Sequence, residues 1–161
     1  MQTLASLLAT LPQIGRVDWI GLRPARLEAM TVVSEVEAEP GKGLTGDRYN
    51  GRSDKRQVTL IQTEHLAVLA SLLHRDRIDP ALLRRNIAVQ GLNLLALKDR
   101  QFQIGDAVLE YTGLCHPCSR MEQTFGAGGY NAVRGHGGIT ARVVSGGLIR
   151  SGDPVRAITE R

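Results

Sequence analysis

Ala107-Val108-Leu109-Glu110-Tyr111-Thr112-Gly113-Leu114-Cys115-His116-Pro117-Cys118-Ser119-Arg120-Met121-Glu122 shows the organisation of this chain in one passage. The run Ala107 to Tyr111 is apolar and reads as a strand. Pro117 has no N–H to give to a ladder and ends it. Ser119, with Glu122 three residues on, predicts a capping box and a short helix. Cys115 and Cys118 are the two cysteines of the chain, and they sit where strand gives way to helix. The positive end of that helix and nearby Arg120 both favour a thiolate at Cys118. A thiolate shown at a strand end suits a soft metal, a nucleophile or a redox thiol. Both cysteines also fit a buried structural role, because free cysteine is among the most buried residue types.

Short strand signals recur on either side. Downstream, Ile139 to Val144, Leu148 to Arg150 and Pro154 to Ile158 read as strands, with turns at Gly146-Gly147 and Ser151-Gly152-Asp153. Upstream, Val17 to Leu22 reads as a strand ending at Arg23-Pro24, and Met30 to Ala38 as one further strand. Val58 to Ile61 is a buried strand and Asn86 to Val89 another. Phe102 and Ile104 share one face of the strand before Gly105-Asp106. Thr63 is expected to cap a helix carrying Leu66, Leu69, Ala70 and Leu73, and Asp79-Pro80 opens a short turn. Pro40 to Tyr49 is a glycine-punctuated loop, and Asn50-Gly51 and Ser53-Asp54 continue it as turn residues. The pattern is mainly β: a barrel or sandwich of short strands with a few peripheral helices. Residues 1–161 read as one domain, with a helix in residues 1–12 packed on it.

Composition sets bounds. Hydrophobic residues make up 42% and charged residues 22% of the 161, as in ordinary globular proteins. A net charge of +4 suits an anionic ligand. It is too dispersed to argue for nucleic acid, and no basic run is interleaved with aromatics. Leu4 to Leu11 lacks the basic flank and cleavage site of a signal peptide, and no apolar run is long enough to span a membrane. Two closely spaced cysteines make no disulfide framework, so a reducing, cytoplasmic compartment is expected.

The tract Gly126 to Gly138 fits neither a P-loop nor a dinucleotide fingerprint and reads as a flexible loop. Beside a thiolate it is also a candidate pocket wall. Arginines sit at strand ends and in loops: Arg23, Arg26, Arg48, Arg56, Arg84, Arg85, Arg134 and Arg142. Strand ends converge on one side of a small barrel, where guanidinium forks would receive a phosphate or other oxyanion. His65 and His74, on the expected helix, lack ligand-spaced partners and read as solvated or partly packed. Cys-His-Pro-Cys admits a zinc site with His116 or His136, but only one of the two pairs a structural zinc site needs is present. A thioredoxin-like motif would need a long helix after the second cysteine, and Gly126 cuts this one short.

Several pieces together resemble the domain found at the C-terminus of molybdenum cofactor sulfurases, the MOSC domain. They are Gly46-Asp47-Arg48-Tyr49, Arg56-Gln57-Val58-Thr59-Leu60, Arg84-Arg85-Asn86-Ile87, Gly91 and Phe102-x-Ile104-Gly105. Leu109-Glu110-x-Thr112-Gly113, Pro117-Cys118 and Gly152-Asp153 complete the set, spanning Val17 to Ile158. The chain looks like a stand-alone bacterial-type member.

The resemblance implies a β-barrel core that binds molybdenum cofactor (molybdopterin), a pterin dithiolene phosphate carrying molybdenum. It implies similarity to enzymes that reduce N-hydroxylated bases and amidoximes. On that reading Cys118 is the metal ligand and a catalytic residue, with Cys115 the alternative ligand. In the amidoxime-reducing relatives a second cysteine follows, and that position here is Met121. Arg23, Arg56, Arg85 and Arg134 would hold the phosphate or pterin, Asn86 and Asn131 the polar pterin edges, and His136 would deliver a proton. The substrate would be a small N-hydroxylated compound and the electrons would come from a partner protein. The alternative is a non-catalytic cofactor-binding or sulfur-carrier module in molybdenum cofactor metabolism. A pyridoxal phosphate site is not expected.

Overall fold

The computed structural model describes residues 1–48 and 53–159. Tyr49 and the Asn50-Gly51 turn lie outside the described residues. The strands are β1 (Gly15–Leu22), β2 (Thr31–Val33), β3 (Glu35–Glu39), β4 (Gly43–Leu44), β5 (Val58–Gln62) and β6 (Ile87–Gln90). They continue as β7 (Gln101–Ile104), β8 (Ala107–Leu114), β9 (Ile139–Ser145), β10 (Gly147–Arg150) and β11 (Pro154–Ala157). The helices are α1 (Leu4–Ala9), α2 (Thr63–Leu72), α3 (Ser119–Phe125) and α4 (Gly129–Val133).

The sheet order is β11-β7-β8-β9-β5-β6-β1, and β11 pairs back onto β1 at Gly15↔Val155 and Arg16↔Pro154. That contact closes a seven-stranded mixed barrel. A closed barrel leaves no unpaired edge. Only β5 and β6 run parallel among its paired strands, and α2 lies in the connection between them. β2 extends β1 outside the ring, and β10-β3-β4 form a separate small sheet.

The central strands explain their own sequences. Val58 and Leu60 of β5 point into the barrel with Ile87 and Val89 of β6. Ile61 and Ala88 face outward, but α2, α3 and α4 cover that side with Leu69, Met121, Phe125 and Val133. Both faces are therefore buried, and the strands are mostly apolar rather than alternating, with Thr59 a buried polar exception. Phe102, Ile104, Leu109, Ile139 and Val155 fill the rest of the barrel.

Several local expectations change. Met30 to Ala38 is two strands, not one: the chain breaks at Ser34, so that β2 pairs with β1 and β3 with β10. Gly146-Gly147 joins no hairpin, because β9 and β10 belong to different sheets. Thr63 is the first residue of α2, its hydroxyl bonded to Asp18, and His74 lies past the helix end with φ +56°. The glycine tract contains α4, whose Gly129, Ala132 and Val133 are buried. α1 buries none of its residues, while Leu11 just beyond it packs against the barrel core. No helix among the described residues is long and apolar enough to cross a membrane.

Candidate cofactor site

Three consecutive residues build one end of the barrel. Arg84 takes the left-handed conformation (φ +56°) after the short turn Pro80–Leu83 and aims three side chains in three directions. Arg84 itself reaches out to the carbonyls of Ala25 and Glu28. Arg85 turns inward and donates to the carbonyls of Gly137 (2.8 Å), Leu83 (2.8 Å) and Cys115 (3.4 Å). Asn86 is 0% exposed. Its amide oxygen accepts from the Thr59 N–H and hydroxyl, and its amide nitrogen donates to Gly21 and Asp47.

These contacts revise two sequence expectations. The Asn86 amide is enclosed and its partners are all protein groups, so it cannot present itself to a pterin edge. The three nitrogens of Arg85 are directed at backbone carbonyls, which makes it a clamp on the cysteine loop. Burial, foremost, lowers its pKa, with Cys115 nearby acting in the opposite direction.

The clamp fixes the cysteines. The Cys115 N–H donates to the Gly138 carbonyl at 2.8 Å, while its own carbonyl faces Arg85. A Cβ on Gly137 would collide with that carbonyl, and one on Gly138 with the Leu60 carbonyl, so both positions require glycine for close approach. Cys115 is 2% exposed, and Arg56 Nη2 lies 3.8 Å from its sulfur. Cys118 is exposed and free. It, not Ser119, is the N-cap of α3, and its side chain makes no capping bond. Glu122 instead accepts from the Tyr130 N–H, tying α3 to α4.

Cys118 lies within electrostatic reach of Arg85, on which Cys115, Arg56 and Arg23 also act. Arg23 forms a two-pronged pair with Asp47 (2.9 and 3.2 Å), whose side chain is 0% exposed. The pKa of Arg84 is lowered by burial first and then by Arg120, Arg23 and Arg48, against the single opposing charge of Asp47. Arg120 has no hydrogen bond or ion pair among the described residues. Arg84 and Arg120 line a groove of about 540 Å³ along α3, with the carboxylate residue Glu28 also on its wall and Leu27, Met30 and Leu82 as its apolar side. Cys118 does not line that groove but stands two positions before Arg120 in the chain, so guanidinium forks for an anion and a soft ligand come from the same short segment.

The remaining expected residues lie elsewhere. Asn131 and Arg134 bond to each other on the exposed side of α4, and neither joins the arginine–cysteine cluster among the described contacts. His136 stands in a T-shaped contact with His65, ring centres 5.1 Å apart, in a separate cavity that does not include Cys118. No group of three potential metal-ligating side chains occurs among the described residues.

A family model, the MOSC domain, matches residues 47–156. The chain belongs to the MOSC domain family. That match covers Asp47, the Arg84-Arg85-Asn86 turn, both cysteines and the barrel strands from β5 into β11. Solved structures agree with the MOSC fold. YuaD from Bacillus subtilis superposes with a TM-score of 0.78 at 18% identity, over 94% of this chain and 100% of that one. YiiM from Geobacillus stearothermophilus gives 0.70 at 20% identity, covering 89% and 75%. YiiM from Escherichia coli gives 0.70 at 18%, covering 91% and 71%. No curated protein matches the sequence.

The sequence named Arg84 among the arginines at strand ends and Arg120 as a charge near Cys118, but gave Asp47 no role of its own. Asp47 was visible only as a member of Gly46-Asp47-Arg48. Its role, neutralising Arg23 and holding Asn86, spans 24 and 39 residues of chain. Arg120 was noted for its charge near Cys118, and its groove exists only once α3 packs beside the turn that holds Arg84.

Proposed function

We propose that this MOSC domain binds molybdenum cofactor at the Cys118 end of its barrel and reduces small N-hydroxylated compounds with electrons from a partner protein. The observation that carries the reading is the exposed Cys118 thiol within electrostatic reach of Arg85, together with Arg56 and Arg23. The donor chemistry suits the group: a thiolate for a soft, sulfur-rich metal centre, and guanidinium forks for a phosphate. Cys118 would hold the molybdenum, and Arg23, Arg56, Arg84 and Arg120 would hold the anionic part of the cofactor. Bound molybdenum would supply two-electron redox chemistry.

The chain's own residues do the rest. Arg85 fixes the Cys115 and Gly137 backbones, so that Cys118 is presented from a rigid loop. Asp47 orients Arg23 through both prongs of its guanidinium. Asn86 locks the turn to β1 and β5. The net reaction takes two electrons and two protons, breaks the N–O bond and releases water. Cys118 is open to solvent, so water can supply those protons without a relay through His136.

The same exposure favours a second reading, a carrier that holds a persulfide on Cys118 for delivery to another enzyme. The test is purification from a host that makes the cofactor, followed by metal and pterin analysis and turnover of benzamidoxime with a reduced viologen dye. Bound molybdenum with turnover, both lost in Cys118→Ala, is the expected result. Molybdenum without turnover, or a Cys118 adduct with the mass of one added sulfur, shifts the assignment to the carrier. Full molybdenum retention by Cys118→Ala removes Cys118 as ligand.

A further inference from the structure

The cavity on the other side of the cysteine strand is not used by this function. It has a volume of about 400 Å³ and lies between α2, β9 and the turn before β7. Leu94, Leu95, Leu114 and Ile139 make its apolar wall, and His65 and His136 supply its imidazoles. No lysine, arginine, aspartate or glutamate lines it among the described residues. Gln62 and Asn93 also border it, but each already accepts a backbone N–H, from Leu94 and Leu95 respectively. Those bonds occupy the amide oxygens, so the open polar groups are the two imidazoles and the amide N–H donors of Gln62 and Asn93.

Two observations point to a ligand. His136 Nδ1 is buried without any hydrogen-bond partner among the described residues. An unmet buried polar atom is costly, and native proteins rarely leave one without a reason. Leu95 and Leu114 are large apolar side chains left 54% and 46% exposed at the cavity. Burial, then the neighbouring His136, lowers the pKa of His65, while Glu64 acts the other way. The His65 ring thus favours its neutral form, which offers one donor and one acceptor. A concave apolar site with a few convergent polar groups is the usual form of a small-molecule pocket.

We infer that this cavity binds a small, flat, uncharged heteroaromatic molecule carrying both a ring N–H and a ring nitrogen acceptor, held between Leu114 and the His65–His136 pair. Charged ligands are disfavoured, because nothing lining the cavity compensates a charge. A ligand with both a donor and an acceptor satisfies His136 Nδ1 in either tautomer. The apolar ring covers Leu95 and Leu114.

The site differs from the Cys118 groove but shares a wall with its supports. His136 precedes Gly137, whose carbonyl accepts from Arg85, and Gly138, whose carbonyl accepts from Cys115.

The test titrates the full chain with benzimidazole at pH 8, following the ring protons of His65 and His136 by NMR. Saturable binding that moves both rings is expected. Indene has the same shape without the nitrogens and should bind at least tenfold more weakly. His136→Phe keeps an aromatic ring but removes both ring nitrogens and should lower benzimidazole affinity about tenfold, the loss of roughly one buried hydrogen bond. Leu114→Trp and Leu95→Trp change half-exposed side chains and should each block the cavity. Cys118→Ala should bind normally, which separates this site from the cofactor reading. Absence of saturation, equal affinity for indene, undiminished binding by both tryptophan variants, or loss of binding in Cys118→Ala would each overturn the assignment.

Discussion

Arg85 Nε donates to the Gly137 carbonyl at 2.8 Å, across 52 residues of sequence, and so holds the last glycine loop against the cysteine loop. The guanidinium is buried and its other contacts are the carbonyls of Leu83 and Cys115. Removing it strands several polar groups at once. Arg85→Met should therefore destabilise the fold by roughly 2–4 kcal/mol, mainly through unsatisfied buried carbonyls. Chemical denaturation would measure this, and an unchanged midpoint would show that the clamp carries no weight.

Asp47 and Arg23 form the buried-side ion pair of the site. Asp47 is enclosed while Arg23 keeps 22% of its side-chain exposure, so part of the interaction is screened. Asp47→Asn preserves shape but removes the charge. We expect a loss of roughly 1–3 kcal/mol, below that for breaking a fully buried pair. The companion Arg23→Lys keeps charge but loses the fork and should recover only part of the stability.

The two thiols should separate by reactivity. Iodoacetamide should label Cys118 in the folded protein, and Cys115 only on unfolding, because one is exposed and the other buried. Peptide mass spectrometry reads this directly. Cys118→Ala should leave stability within about 0.5 kcal/mol of the parent, as for other surface changes. Cys115→Ala should cost about 1–2 kcal/mol through lost packing. Equal labelling of both thiols in native protein would contradict the placement.

Arg120 should matter for anion capture but not for folding. Arg120→Glu places a negative charge on the groove that Arg84 also lines. Pterin cofactor occupancy should fall at least tenfold, and the loss should grow at low salt. Thermal stability should not fall, because the substitution relieves the Arg120 repulsion that, after burial, lowers the Arg84 pKa.

The lowered pKa of His65 has a signed consequence. Its unfolded form takes up a proton at a higher pH than its folded form. Stability is thus fully present above about pH 6.5 and declines as pH falls from there toward the folded value. The group is partly solvated, so the effect stays well below about 1 kcal/mol. Comparing melting temperatures of the parent and His65→Gln between pH 8 and pH 5 isolates it. A parent that falls no faster than the variant would refute it.

Much of this protein was determined by sequence alone. Val58 to Ile61, Phe102 with Ile104, and Ala107 to Tyr111 carry strand signals that depend on neighbours one or two residues away. Asp79-Pro80 closes its turn through a bond from the Ala81 N–H to Asp79, two residues apart. The family pattern was readable in the order of Asp47, Arg84-Arg85-Asn86 and Pro117-Cys118. Tertiary structure decided what those residues do. Arg85 and Asn86 have the side chains of ligand-binding groups, yet the fold surrounds them with the carbonyls and hydroxyls of distant segments, and they become struts. His136 lies 18 positions from Cys118 but faces His65 from the other side of the loop. Local periodicity records which face of a strand is buried. Hydrogen-bond partners 27 to 65 residues away are chosen only when the barrel closes.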